Sequence, residues 1–187
     1  MRRRAARPVI LEPSAQPVVK VTTRGGPFAG VSAAVVRRRA EKMLGHLGLV
    51  RVELSVALVD DPTIRELNRA YRHQDKPTDV LAFPLQDAVP SRPLGHSRWA
   101  PKPPPAPAAY GGLLGDVILS IETARRQAAR HRRPLLAELT MLLAHGLLHL
   151  LGHDHRTDAQ ERKMTARTRE LEAAAAARRG SGAEPPS

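Results

Sequence analysis

Cysteine and aromatic residues are scarce in this sequence. It contains no cysteine, and Phe, Trp and Tyr together make up 3% of its 187 residues. The lack of cysteine excludes a disulfide scaffold, a thiolate zinc site and a cysteine nucleophile, and it is typical of a reducing compartment. The scarcity of aromatic rings means that base-stacking surfaces of the kind found in single-strand-binding proteins are poorly supplied.

Long apolar runs are also scarce. The most apolar stretch, residues 135–151, is interrupted by Glu138, Thr140 and two histidines. Spanning a membrane requires roughly 20 predominantly apolar residues, so this stretch is too short and too polar. We therefore expect it to form a helix buried inside a soluble protein that has no membrane partner.

Positive charge, by contrast, is abundant. Thirty Lys and Arg residues against eighteen Asp and Glu residues give a formal net charge of +12. Such a balance makes polyanions, and nucleic acid above all, the first partners to consider. The length is that of one ordinary domain, and a hydrophobic content of 42% is enough for a core.

The hydrophobic pattern predicts one α+β domain over residues 16–178, with a small mixed sheet of about four strands flanked by helices. The predicted strands are 18–22, 51–59, 79–85 and 115–120, and the predicted helices are 31–47, 60–71, 122–133, 134–151 and 158–178. Residues 1–15 and 179–187 are predicted to be disordered tails. The proline-rich segment 86–112 is predicted to be a long surface insertion.

Four histidines fall within the segment 145–155, whose sequence is HGLLHLLGHDH. His145 and His149 are four residues apart, which on a helix places both imidazoles on one face, about 40° apart. Gly152 can end that helix, so that His155 swings back to complete a set of three nitrogens. Three neutral imidazoles with an open fourth position are typical of a catalytic zinc centre. The sequence therefore predicts one zinc ion on a buried helix and the turn after it.

The histidine spacing matches the metzincin metalloprotease pattern except at one position. The residue after the first histidine should be Glu, the general base, but here it is Gly146. A glycine in the middle of a helix costs about 1 kcal/mol relative to Ala, which favours a functional reason for its presence. His153 is either a fourth metal contact or an exposed turn residue, and we favour the second interpretation. Asp154 either orients an imidazole or shapes the turn.

Three motifs carry a resemblance to a known family. They are NRAYRHQDKPTDVLAFP at 68–84, LGDVILS at 114–120 and the histidine segment at 145–155. In this order they resemble the YbeY family of bacterial single-strand-specific endoribonucleases, over about residues 50–172. Two residues depart from the family pattern: His153 stands where the family usually has Tyr, and Ala82 where it usually has Ser.

The resemblance implies a compact α+β fold, a cytoplasmic location and a zinc-dependent endoribonuclease. The implied role is maturation of ribosomal RNA (the 16S 3′ end) and ribosome quality control, with single-stranded RNA and the ribosome or its associated proteins as partners. The family's zinc ligands fall on His145, His149 and His155, and its functionally important arginine falls on Arg72. A planar guanidinium that is always charged suits a phosphodiester and the extra charge of its transition state.

Other charged residues have simpler interpretations. Asp75 and Asp79 are predicted to form turns, and Asp116 to shape the entry to a strand. The arginines at 125–133 form either a solvated helix face or a phosphate track.

Three functions are compatible with these features. The first is a zinc-dependent endoribonuclease in which Arg72 stabilises charge on the phosphate. The second is a non-catalytic ribosome-assembly or RNA-binding factor with a structural zinc. The third is a metallopeptidase, which Gly146 and the charge of +12 disfavour. The sequence leaves the RNA target, the general base and the oligomeric state open.

Overall fold

The computed structural model describes residues 16–85, 112–153 and 157–177. The predicted tails, the proline-rich insertion up to residue 111, and both Asp154 and His155 lie outside the described residues. The elements in chain order are β1 (Val18–Arg24), α1 (Ala33–His46), β2 (Val52–Val59), α2 (Asp61–Arg72), β3 (Val80–Pro84), β4 (Gly112–Ser120), α3 (Ile121–Arg130), α4 (Leu135–Leu150) and α5 (Asp158–Ala176).

The four strands form one mixed sheet in the order β1-β2-β4-β3. Strands β1, β2 and β4 are parallel, and β3 pairs antiparallel to β4. The predicted α+β class and four-stranded mixed sheet are therefore confirmed. Within the described part of the chain, β3 pairs only with β4, so it is an outer strand.

Local signals explain where the helices begin. The Ser32 hydroxyl accepts a hydrogen bond from the Val35 amide, and the Asp60 carboxylate accepts one from the Thr63 amide at 3.0 Å. Each bond satisfies an amide that has no partner within the helix. Helix α5 begins with a capping box, in which the Thr157 and Gln160 side chains each bond the other's backbone amide.

Alternating residues of the strands face two different cores. Val80 and Val117 belong to the larger core, which α1, α4 and α5 cover. Their neighbours Leu81 and Ile118 belong to a smaller core built around Ile64 of α2. Successive side chains of a strand point to opposite faces. Helix α2 therefore lies on one face of the sheet, and the histidine-bearing helix α4 lies on the other.

Strand β4 differs from the sequence prediction. It begins at Gly112, a residue assigned above to the insertion, and its pairing with β2 shifts register between Glu53 and Leu54. Because the strand starts earlier, Asp116 lies in its middle, paired with Ser55 and Phe83. The prediction that Asp116 shapes the strand entry was therefore wrong.

No helix among residues 16–85, 112–153 and 157–177 is long and apolar enough to cross a membrane.

Candidate functional site

Helix α4 exposes one narrow stripe to solvent along its second half. Met141, His145 and His149 are partly exposed, whereas the other residues between positions 142 and 150 are buried. The three residues are spaced four apart, so they lie along one side of the helix. His145 and His149 are therefore the polar side chains on the solvent-exposed stripe of this largely buried helix.

The two imidazoles face each other closely. Their Nε2 atoms are 3.1 Å apart, and the ring centroids are 4.7 Å apart with the ring planes inclined at 83°. Two nitrogens bound tetrahedrally to one zinc ion at about 2.0–2.1 Å would be about 3.3 Å apart. The separation also suits a hydrogen bond in which one ring donates to the other. The geometry thus fits two neighbouring ligands of one metal ion.

Gly146 has a packing reason. A Cβ atom built on it would lie 2.8 Å from Cγ1 of Val117 and 3.1 Å from Cγ2 of Val80. The absence of a side chain lets α4 approach the sheet at the turn that carries the two histidines. The interpretation that the helical cost of Gly146 indicates function was incomplete, because close contact between helix and sheet already requires a glycine. The same contact leaves no room for the glutamate of the peptidase pattern.

The end of α4 turns the chain back immediately after His149. Gly152 has a φ of +81°, its amide donates to the His149 carbonyl, and the His153 amide donates to the Leu148 carbonyl, both at 3.0 Å. This pair of bonds is the Schellman motif, which reverses the chain at a helix end. The prediction that Gly152 ends the helix is confirmed.

The third predicted ligand stays a prediction. His155 lies within residues 154–156, outside the described residues. In the part of the chain that is described, no three His, Cys, Asp or Glu side chains form a group that could hold a metal ion. His145 and His149 are therefore the two members of the predicted set that the structure brings together.

His153 is partly buried, so the interpretation of it as an exposed turn residue was wrong. Burial lowers the pKa of its imidazole, and the positive charges of Lys163 and Arg167 lower it further. These two residues lie on α5, so His153 faces the helix that follows the turn.

Arg72 is exposed at the last position of α2. The next residue, His73, ends the helix in the left-handed conformation with a φ of 57°. Because α2 and α4 cover opposite faces of the sheet, the structure does not place Arg72 directly beside the histidine pair. Both helices pack against the same end of the strand order, α4 against β3 and β4 and α2 against β4.

The first motif builds the loop that joins α2 to β3. The amide of buried Asn68 donates to the Lys76 carbonyl at 2.8 Å. Asp75 accepts two hydrogen bonds of 2.8 Å from the Arg65 guanidinium. Asp75 therefore links the loop to α2, and its predicted turn-forming role stays a prediction. The local contacts of Asp79 with Thr78 and Val80 agree with the role predicted for Asp79. Sequence reasoning gave no role to Asn68, although an amide near a helix end is a common signal for loop contacts.

Asp79 also connects this loop to α3. One carboxylate oxygen accepts from the Val80 amide at 2.9 Å and from the Thr78 hydroxyl at 3.2 Å. The other accepts from the Gln127 side-chain amide at 2.9 Å. The start of the outer strand is thereby fixed to a helix that packs against α4.

Helix α3 and the turn after it carry five arginines, and three of them have protein partners. Arg126 bonds the Asp61 carboxylate at 2.7 Å, Arg125 bonds the Ala29 carbonyl, and Arg133 pairs with Glu172. Arg130 and Arg132 are exposed. Arg130 and Arg132 are therefore the arginines of this group that stay fully available to bind phosphate. The other three could contribute only the parts of their side chains that remain exposed.

Comparisons with known proteins identify relatives of this chain. A family profile described as Endoribonuclease YbeY matches residues 31–175. A curated Endoribonuclease YbeY from Aquifex aeolicus (strain VF5) is 42% identical over 139 residues, which are 73% of this chain and 77% of the relative. Another from Anaeromyxobacter sp. (strain Fw109-5) is 42% identical over 78% of this chain and 66% of the relative.

A third curated Endoribonuclease YbeY, from Myxococcus xanthus (strain DK1622), is 46% identical over 71% of this chain but only 40% of its own length. The chain thus spans between about two fifths and three quarters of the length of these relatives. The solution structure of TM1509 from Thermotoga maritima is similar in fold, with a TM-score of 0.54 and 23% identity over 84% of this chain and 89% of that one.

The fold and the site define a single-domain α+β protein that presents two imidazoles, placed to share one ligand, on a buried helix. The family profile covers residues 31–175, which include every described element except β1 and the last residue of α5. The chain belongs to the YbeY endoribonuclease family.

Proposed function

We propose that this protein is a metal-dependent endoribonuclease that cuts single-stranded RNA. The observation that carries the proposal is the 3.1 Å separation of the Nε2 atoms of His145 and His149. Membership of the YbeY family and a net charge of +12 support RNA as the substrate.

The donor set suits zinc, with His145, His149 and His155 as the ligands. Imidazole nitrogens are ordinary zinc ligands, and a three-histidine set leaves one position open. Zinc held there would supply Lewis acidity toward a phosphoryl oxygen and lower the pKa of bound water. Helix α4 contributes rigidity, because its buried leucines hold the turn of the two histidines against the sheet.

Arg72 is proposed to bind the phosphodiester. Its guanidinium carries a permanent charge and can donate two parallel hydrogen bonds to phosphate oxygens. Within the described residues no carboxylate lies within 4.0 Å of Arg72, so its charge is not already neutralised by an ion pair. A single strand that crosses the outer edge of β3 would contact both the histidine pair and Arg72.

Cleavage of labelled single-stranded RNA tests the proposal. We expect wild type to cut, and His149→Ala and Arg72→Ala to lose most of the activity while staying folded by circular dichroism. Arg38→Ala is the matched control, because it removes an exposed arginine from α1, which packs against β1 at the opposite edge of the sheet, and it should retain activity. A folded His149→Ala protein that cuts at the wild-type rate would contradict the proposal.

The physiological role is proposed on the resemblance alone. It comprises maturation of the 16S ribosomal RNA 3′ end, ribosome quality control, association with the ribosome and a cytoplasmic location. Depletion of the protein should leave precursor 16S ends, which primer-extension or end-sequencing of ribosomal RNA would detect.

The second candidate is an RNA-binding assembly factor whose zinc is structural, and the partly exposed stripe on α4 disfavours it because structural zinc sites are closed. Chelation separates the two. A structural metal predicts unfolding when it is removed, whereas the present proposal predicts loss of cleavage with a retained fold and a lower melting temperature.

A peptidase lacks support, since Gly146 packs against Val117 at the position where the general base of a peptidase would stand.

A further inference from the structure

Tyr71 is the most exposed of the large apolar side chains among the described residues. The residue is 66% exposed, against 51% for Val18, which has the next highest exposure. Exposing an aromatic ring to water forgoes the burial that rings usually gain in a core. The chain has only two tyrosines, and the exposure of this one makes its ring available to a binding partner.

The ring is held in place despite its exposure. Its centroid lies 5.0 Å from that of Phe83, with the planes at 62°, which is an edge-to-face contact. Tyr71 belongs to the last turn of α2, and Ile64 anchors that helix in the smaller core with Leu81. Asn68 fixes the following loop through its bond to Lys76. The contact with Phe83 therefore favours one orientation of the ring.

Two cationic residues follow Tyr71 closely in the chain. Arg72 follows it directly, and Lys76 lies in the loop that Asn68 holds. The nearby carboxylate of Asp75 is already paired with Arg65. Among the residues that the structure describes, no carboxylate forms an ion pair with Arg72 or Lys76. An exposed aromatic ring, followed in the chain by cations that form no ion pair with a described carboxylate, suits a nucleotide, which presents a flat base and an anionic phosphate.

The ring and the histidine pair flank the same segment of β3. Pro84 pairs with Gly115, and a Cβ on Gly115 would lie 3.1 Å from the Leu150 side chain of α4. Phe83, the residue beneath Tyr71, is next to Pro84. The histidine-bearing turn of α4 and the last turn of α2 therefore lie at the same level along this outer strand, on opposite faces of the sheet.

We propose that Tyr71 is the stacking platform for an unpaired base of the RNA strand, close to the phosphodiester that is cut. The proposal rests on the proposed function for the identity of the substrate. Aromatic rings stack on any base, so the platform selects single strands over duplexes and carries little sequence preference. One fixed ring is enough for one base, which agrees with the low aromatic content of the chain.

The direct test is binding of a fluorescein-labelled 2′-O-methyl RNA of roughly ten nucleotides, measured by fluorescence anisotropy. We expect Tyr71→Leu to weaken binding about ten-fold and Tyr71→Phe, which keeps the ring, to stay within about twofold of wild type. The salt dependence of binding should stay the same, since no charge is removed. Leu113→Ala, another exposed apolar residue at 46% exposure, should bind like wild type.

A set of oligonucleotides with one abasic position each separates stacking from a structural role. At one position the missing base should weaken wild-type binding to the Tyr71→Leu level and should not weaken Tyr71→Leu further. A duplex of the same sequence should show no dependence on Tyr71. Binding by Tyr71→Leu within about twofold of wild type, or a ten-fold loss that is the same for every abasic substrate and for the duplex, would overturn the proposal.

This design keeps the two proposals apart. The 2′-O-methyl strand, checked on a gel to be intact after each titration, measures binding apart from cleavage. A wild-type protein that binds it through Tyr71 but leaves ordinary RNA intact would refute the endoribonuclease and keep the platform. Cleavage that is unaffected by Tyr71→Leu at subsaturating RNA would refute the platform and keep the endoribonuclease.

Discussion

Gly146 of α4 lies directly over Val117 of β4. A Cβ atom at position 146 would come within 2.8 Å of the valine Cγ1, a distance that real Cβ atoms essentially never show. The contact fixes how closely the histidine-bearing helix approaches the sheet. The packing explains why a glycine follows His145, at the position where the peptidase pattern has a glutamate.

Gly146→Ala should therefore destabilise the protein. In a helix interior, Ala stabilises the fold by about 1 kcal/mol relative to Gly, but overpacking against two valines destabilises it by about 1–3 kcal/mol. We therefore expect the free energy of unfolding to fall by roughly 1 kcal/mol. Urea denaturation measures the difference. Gly45→Ala in α1 is the matched control, because a Cβ there meets nothing within 4 Å and should stabilise by about 0.5–1 kcal/mol. Equal stabilisation in both variants would contradict the packing account.

A second buried feature lies at the start of α4. The Glu138 side chain is fully buried, and Arg133 is its cationic partner at 3.4 Å, with His131 at 3.5 Å. Its other oxygen has no hydrogen-bond partner in the described part of the chain. Removing the arginine would leave the buried carboxylate without its permanently charged partner. Arg133→Met should therefore cost about 3 kcal/mol in unfolding free energy.

A double variant checks the cause of that loss. Adding Glu138→Gln to Arg133→Met removes the uncompensated charge and should recover a measurable part of the stability. Arg130→Met removes an exposed arginine and should change stability by less than about 0.5 kcal/mol. If the double variant were as unstable as the sum of its two single changes, the charge would not be the cause.

Asp61 predicts a dependence of stability on pH. Burial raises the pKa of its carboxyl, but hydrogen bonds from Ser120, Thr123 and Arg126 outweigh burial and hold the pKa below its ordinary value of 3.8. A carboxyl whose pKa is lower in the folded state stabilises the fold above its unfolded pKa, and that stabilisation is lost as the pH falls through the folded value. Asp61→Asn should therefore be less stable than wild type by about 1–2 kcal/mol at pH 6.

The difference between wild type and Asp61→Asn should shrink as the pH is lowered below 3.8. Denaturation curves at a series of pH values measure it. A difference that stays constant from pH 6 down through this region would show that the hydrogen-bonded carboxylate is not responsible. Asp158→Asn, which changes an exposed carboxyl in the first turn of α5, serves as the comparison variant.

Local patterns predicted the helices and strands well. The alternation in β2, the caps at Ser32 and Asp60 and the glycine after α4 depend on residues close in the chain. The spacing of His145 and His149 is also local, since helical geometry alone brings residues four apart together. The distance between their Nε2 atoms in the structure agrees with that expectation.

Contacts between distant segments could not be predicted in the same way. The early start of β4 depends on pairing with β2 across a register shift, and the role of Gly146 depends on valines from two strands. The pairing of Arg126 with Asp61 links α3 to α2, whereas the sequence offered only a solvated face or a phosphate track for this arginine. The position of Arg72 relative to the histidines likewise depends on which face of the sheet α2 covers.

The central claim is that His145, His149 and His155 bind one zinc ion through their imidazoles. Metal analysis combined with X-ray absorption spectroscopy at the zinc edge tests it most directly. We expect about one zinc per chain, surrounded by three nitrogens at about 2.0–2.1 Å and one further light atom, and loss of the metal in folded His149→Ala and His155→Ala proteins. Zinc retained at wild-type occupancy in His149→Ala, or a zinc environment without imidazole scattering, would contradict the account.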